Sequence, residues 1–139
     1  MNIREYTDAD EAHLIELWHR SKLTRPWNNP QLDIKRKLDA HPNWLLVGLI
    51  DDAVVASIMV GYDGHRGWIN YLAVAPEHRR KGIARALMAE AESLLRGVGC
   101  PKINLQIRLD NVEAIEFYES IGFGKDHVVS FGMRLNVDT

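Results

Sequence analysis

The run Tyr71-Leu72-Ala73-Val74 stops at Ala75-Pro76, turns through His78-Arg79-Arg80-Lys81-Gly82, and enters a segment that repeats Ile83, Leu87, Ala91, Leu94 and Leu95 on one helical face. A strand followed at once by an amphipathic helix has one economical solution, in which the helix folds back and buries its stripe on the sheet. The junction is basic. A helix start leaves several N–H groups without partners and carries the positive end of the macrodipole, so an anion held there receives hydrogen bonds and field together. Gly82 and Ala84 let such an anion approach the main chain, and Arg79, Arg80, Lys81 and Arg85 surround it with charge. On its own the turn fits better a solvated basic loop before a surface helix.

A second segment, Asn111-Val112-Glu113-Ala114-Ile115-Glu116-Phe117-Tyr118-Glu119-Ser120-Ile121-Gly122-Phe123, changes that balance. Taken together, the two resemble the GNAT superfamily of acetyl-CoA-dependent N-acetyltransferases. Arg79, Gly82 and Ala84 occupy the defined positions of its [QR]-x-x-G-x-[GA] motif, and Asn111, Ala114, Tyr118, Gly122 and Phe123 those of N-x-x-A-x-x-x-Y-x-x-x-G-[FY]. The resemblance covers nearly the whole chain. The segments Arg25-Pro26-Trp27-Asn28 and 61–67 are similar to those of the small bacterial YpeA-type acetyltransferases.

At 139 residues the chain is read as one domain over 1–139. Its net charge of −2 argues against a domain whose task is coating nucleic acid, for which strong basicity is usual. The single cysteine, Cys100, excludes an intramolecular disulfide, offers no metal-ligand spacing and reads as a small buried side chain. The opening residues lack the apolar block of a signal peptide and no run approaches membrane-spanning length, so a soluble, cytoplasmic protein with no membrane partner and no metal is expected.

Periodicity predicts strands near 2–6, 44–50, 54–62, 68–74 and 103–107, with a closing strand about 128–135. Helices are predicted over 8–21, with Asp8 or Asp10 as cap, and over 32–38, 83–95 and 111–121, with Gly97 or Gly99 ending the third. Asp51-Asp52 marks a tight hairpin. This order gives an α+β, or mixed α/β, fold around one sheet. The GNAT resemblance implies more: a central mixed, mostly antiparallel sheet flanked by about four helices, whose strands at 68–74 and 103–107 splay apart to admit a pantetheine arm.

The resemblance also implies roles. The cofactor acetyl-CoA would be held by Leu72, Ala73 and Val74 along the strand, by Arg79, Arg80, Lys81, Gly82, Ile83, Ala84 and Arg85 at the turn, and by Asn111 and Tyr118 on the later helix. A backbone N–H near Leu72 would polarise the thioester carbonyl. Tyr118 is the candidate general acid for the leaving thiolate, although Ala114, Phe117, Tyr118 and Ile121 also form an ordinary core stripe. Asn111 either caps its helix or bonds the cofactor's amide arm. Some relatives that acetylate protein N-termini carry a glutamate where this chain has Gln106, and an amide takes no proton. That leaves another residue, an ordered water chain or an amine that arrives deprotonated; Tyr62, Asp63, His65 and Asn70 are the residues near the expected acceptor side. Arg25, Trp27, Asn28, Tyr62, Asp63, His65 and Arg66 are expected to face the unidentified amine acceptor, with Trp27 equally well a hydrophobic staple between helices. An acyl-CoA-binding regulatory module without transfer is the alternative function. Val128 to Phe131 either closes the sheet or pairs across a homodimer edge.

Overall fold

The computed structural model describes residues 1–138. Strands β1 (Asn2–Glu5), β2 (Leu45–Ile50), β3 (Ala53–Tyr62), β4 (Gly67–Val74) and β5 (Ile103–Leu105) form one sheet in chain order. Helices α1 (Glu11–Arg20) and α2 (Pro30–Ala40) intervene between β1 and β2, α3 (Ile83–Gly97) between β4 and β5, and α4 (Val112–Ser120) follows β5. The first three strand pairs are antiparallel and β4 with β5 is parallel. This is the mixed α+β architecture that the residue pattern implies.

Local chemistry explains most of the boundaries. Asp51 and Asp52 both adopt positive φ, 50° and 64°, which gives the β2–β3 hairpin the turn whose twist matches its strands. Asn29 caps α2 by accepting from the N–H groups of Gln31 and Leu32, and Pro30 supplies a first residue with no N–H to satisfy. At the end of α3, Gly99 takes φ of 78° while its N–H donates to Arg96 and that of Cys100 to Leu95, a Schellman closure that selects Gly99 over Gly97 as the terminator.

Three expectations are corrected. Neither Asp8 nor Asp10 caps the first helix through a forward bond. Asp8–Asp10 is a 3-10 turn, and the Asp10 carboxylate folds back to accept from Thr7 N–H at 2.8 Å and from Arg4 at 2.7 Å. The closing strand does not form. Residues 124–138 are held by side chains instead: Lys102 and Asn104 donate to Asp126, Gln106 to Ser130, and Arg36 to Asp138. With only three residues, β5 presents too short an edge to template a long ladder. Cys100 is half-buried, its Sγ donating to Lys102 O at 3.2 Å.

The core lies on both faces of β2 and β3, where Leu45 to Leu49 and Val55 to Ile58 are buried without alternation. Leu14, Leu17 and Trp18 of α1 cover one face, and Ile83, Leu87, Met88, Ala91 and Leu95 of α3 contribute to the same core from the other side of the sheet. Gly67 is required where α3 meets β4: a Cβ there would lie 2.7 Å from Leu95 Cδ1. Packing α3 this tightly brings its N-terminus beside the end of β4.

Candidate functional site

The junction between β4 and α3 contains a 3-10 turn, Pro76–His78, before the helix begins. Gly82 is the N-cap of α3 with φ of 79°, a conformation other residues adopt at a cost, and a Cβ built on it would meet nothing within 4 Å. No side chain caps α3 and its first turn holds no acid, so the free N–H groups of that turn face an open, electropositive space. Glu77, the acid nearest this turn, is engaged by Arg20 of α1, which holds its carboxyl below the usual range. Arg79 Nε donates to Val74 O at 3.1 Å, tying the turn to the strand. Arg80, Lys81 and Arg85 are exposed and make no salt bridge among the described residues. Ile83 is buried in the core, so only its main chain can serve the site.

Beside this turn the sheet opens. β5 pairs with β4 only at Gly67↔Ile103, Trp68↔Asn104 and Ile69↔Leu105. From Asn70 to Val74 that edge of β4 has no strand neighbour among the described residues; apart from the Val74 carbonyl, held by Arg79, and the Tyr71 carbonyl, held by Ser57, its outward backbone groups can pair with an added extended chain. On the opposite edge the β3 register jumps from Met59↔Asn70 to Ser57↔Ala73, so β4 carries one extra residue, a bulge at Tyr71 and Leu72. Tyr71 has φ of 51°. Its ring stacks on Trp18 with centroids 3.8 Å apart, and its hydroxyl donates to Asp33 Oδ2 at 2.6 Å. Burial, then the neighbouring carboxylate, pushes the Tyr71 phenol well above its ordinary pKa.

α4 supplies the other wall. Asn111 is its N-cap, with Oδ1 accepting from Ala114 N–H at 3.1 Å, a bond that leaves the Nδ2 amine as a further donor. Tyr118 sits edge-on between Phe117 and Phe123, at 5.1 and 5.6 Å. Its hydroxyl makes no hydrogen bond among the described residues, and burial raises its pKa to about 12. The stripe of Ala114, Phe117, Tyr118 and Ile121 is only half covered, consistent with the absence of a closing strand over it.

The expected acceptor residues divide into two groups that the structure keeps apart. Tyr62, Asp63, His65 and Arg66 lie at the β3–β4 turn, where Tyr62 pairs with Gly67, five residues of β4 before Leu72, about 16 Å at about 3.3 Å per residue. Asp63 is occupied as the turn's organiser. Its Oδ1 accepts from the N–H groups of Arg66 and His65 at 2.7 and 2.8 Å, and Oδ2 from Trp68 Nε1, which together draw its pKa down to about 2. Arg25, Trp27 and Asn28 lie between α1 and α2, on the side of the bulge. Arg25 is turned back onto the carbonyls of Lys22 and Thr24. Trp27 is exposed under the Arg134 guanidinium, 5.6 Å from its centroid, and staples no helices. Asn28 alone reaches the bulge network, donating to Asp33 Oδ2 at 3.3 Å.

Asp33, Trp18 and Ser57 escaped the motif-based reading. Ser57 did carry a signal: it is the one hydroxyl in the apolar run Val54 to Val60. Among the described residues no helix is long and apolar enough to cross a membrane, and no three His, Cys, Asp or Glu side chains gather as a metal site.

Comparison with known proteins places this architecture. The family model for acetyltransferases of the GNAT type matches residues 12–123. An acetyltransferase of Sodalis glossinidius is 47% identical over 139 residues, covering 99% of this chain and 98% of that one. The crystal structure of the aminoglycoside 6'-N-acetyltransferase AAC(6')-IG from Acinetobacter haemolyticus superposes with a TM-score of 0.75 at 25% identity, over 98% of this chain and 100% of that one. AAC(6')-Iy, solved in complex with a CoA-linked bisubstrate analogue, shares the fold with a TM-score of 0.75 at 18% identity, over 96% and 97% of the two chains. With its strand, basic turn and helix in the order this architecture requires, the chain belongs to the GNAT family of acetyltransferases.

Proposed function

We propose that residues 1–139 form one catalytic domain that transfers an acetyl group from acetyl-CoA to a primary amine of a small molecule or peptide, by direct attack while both are bound. The observation that carries this reading is the adjacency of two elements: the uncapped α3 N-terminus behind Gly82, and the edge of β4 that β5 leaves unpaired from Asn70 to Val74. One is shaped for a diphosphate and the other for an extended amide-bearing arm, and acetyl-CoA contains both. When bound, that donor supplies an activated thioester acyl group.

The chain's own residues have separable tasks. The main-chain N–H groups of Gly82, Ile83 and Ala84, with Arg80, Lys81 and Arg85 around them, hold the phosphates. Leu72, Ala73 and Val74 offer main-chain bonds along the open edge, and the N–H of Leu72 is the donor toward developing negative charge on the acyl oxygen. Tyr118, a phenol that burial keeps protonated well into the alkaline range, holds a proton for the departing sulfur. Asn28, Tyr71 and Asp33 mark the side from which the amine enters. A cytoplasmic setting belongs to this reading as well.

Thermal stability in a concentration series of acetyl-CoA, CoA and 3'-dephospho-CoA tests it. A ligand that binds only the folded state raises the midpoint progressively. A rise with acetyl-CoA and CoA that weakens on removing the phosphate supports the assignment. No shift up to millimolar concentration returns the basic turn to a structural role.

A further inference from the structure

Ser57 is fully buried in β3, and its hydroxyl touches two groups: it accepts from Trp18 Nε1 at 2.9 Å and donates to the carbonyl of Tyr71 at 2.8 Å. The direction of this relay is fixed. Indole N–H can only donate, so Ser57 Oγ receives it, and the single hydroxyl proton is left for the Tyr71 carbonyl. Trp18 is itself fully buried and stacks on the ring of Tyr71, within 16° of parallel. Tyr71 is therefore gripped at its ring by Trp18, at its phenol by Asp33 and at its carbonyl by Ser57. It needs such a grip, because a non-glycine residue at φ of 51° sits in a sparsely populated region and is held there only by its surroundings.

The carbonyl bond has a geometric consequence one atom further on. The peptide between Tyr71 and Leu72 is planar and trans, so its C=O and N–H point in opposite directions. Ser57 belongs to β3 and pulls the carbonyl to that side of β4. The N–H of Leu72 is thereby turned toward the other edge, where β5 pairs no further than Ile69. A hydroxyl in the middle of an apolar strand carries a desolvation cost that alanine would avoid. Here both of its hydrogen bonds serve the bulge.

We propose that Ser57 is a positioning residue for acyl transfer: seated on Trp18, it fixes the peptide plane after Tyr71 so that the N–H of Leu72 meets the acyl oxygen of the donor. This rests on the acetyl-CoA reading above and extends it to residues outside both family motifs.

The test uses the full chain with acetyl-CoA labelled with carbon-13 at the thioester carbonyl, and reads the carbonyl stretch of the bound donor by infrared difference spectroscopy. No acceptor is needed. In the unaltered protein the band lies below its position in free acetyl-CoA. Ser57→Ala loses at least half of that displacement while affinity for CoA, which lacks the carbonyl, stays within twofold; Ser57→Thr, which keeps the hydroxyl, retains most of it. If Ser57→Ala does not fold, Trp18→Phe keeps the stacked ring, removes the indole donor and loses a smaller but measurable part of the displacement. A protein that binds acetyl-CoA with the same band before and after Ser57→Ala, or before and after Trp18→Phe, overturns the positioning role and leaves the acetyl-CoA reading standing. Loss of CoA affinity in parallel with the band assigns Ser57 to structure alone. Absence of acetyl-CoA binding in the unaltered protein overturns both.

Discussion

The hydroxyl of Tyr71 donates to Oδ2 of Asp33 at 2.6 Å, joining the bulge of β4 to the second helix across 38 residues of chain. Asp33 also accepts from Asn28 at 3.3 Å and from Arg36 at 3.3 Å, so its carboxylate gathers the α1–α2 connection, α2 and β4 at one point. Tyr71→Phe keeps the stack on Trp18 and deletes only this bond. A hydrogen bond to an ionised, largely buried partner is worth about 1.5–3 kcal/mol, so urea unfolding should show a loss of that order. In the Tyr71→Phe background, Asp33→Asn should cost at least about 1 kcal/mol less than in the unaltered chain. Strict additivity would show that the two groups do not communicate.

Gly67 and Leu95 set the distance between α3 and β4. A methyl at Gly67 would fall 2.7 and 3.0 Å from the two Leu95 methyls and 3.1 Å from Cys100 Sγ, and Leu95 is buried with little room to yield. Gly67→Ala should destabilise by about 1–3 kcal/mol through overpacking. Leu95→Ala alone should cost about 2–5 kcal/mol through its cavity. The pair together should cost less than the sum, because the new methyl occupies part of that cavity. Equal or greater than additive loss, measured by the same unfolding curves, would place the strain elsewhere.

The fold was legible where residue pattern and local geometry agree. The β2–β3 hairpin followed from Asp51-Asp52, α3 from its apolar stripe, and the opening at Gly82 from a glycine at a helix start. Legibility failed where a side chain's role depends on distant partners. Asp63 reads as an exposed acid beside an expected substrate, and only the turn shows its oxygens committed to Arg66, His65 and Trp68. Ser57 and Asp33 serve Tyr71 across 14 and 38 residues, beyond any local motif. The segment 128–135 alternates enough apolar residues to resemble a strand, yet Phe131 and Met133 are 90% and 82% exposed because no ladder forms to turn them inward. Pattern specifies which face a strand would bury, while strand formation itself depends on a neighbouring edge.

Acid stability should depend strongly on Asp10. Its carboxylate is buried against Arg4 and bonded by Thr7, and these contacts, chiefly the Arg4 bond, bring its pKa down to about 2 from an ordinary 3.8. Because the folded value is the lower, the pair stabilises the protein fully at pH above about 4 and loses its contribution as pH falls from there to about 2. The difference corresponds to roughly 2.5 kcal/mol at neutral pH. Asp10→Asn should therefore lower the midpoint of thermal unfolding at pH 7 and have little effect at pH 2. An equal loss at both pH values would mean that packing around Asp10, and not its charge, carries the stability.

Tyr118 provides the sharpest test of the proposed chemistry, because the same burial that makes it resemble a core residue also keeps its proton. A phenol of ordinary pKa begins to ionise above pH 9, and an acid of that kind would impose an alkaline limb on thiol release. With the value pushed up to about 12, the rate should show no loss from this group between pH 8 and pH 10. Tyr118→Phe removes the hydroxyl and keeps the edge-on contacts with Phe117 and Phe123, so fold and CoA affinity should persist while turnover with an amine acceptor falls by about 10²- to 10⁴-fold. Turnover unchanged by Tyr118→Phe would remove the phenol from proton transfer. A turnover loss matched by an equal loss of CoA affinity would assign Tyr118 to binding. A limb near pH 10 that survives Tyr118→Phe would have to come from the acceptor amine or another group, and pH profiles of the two proteins recorded side by side distinguish these cases.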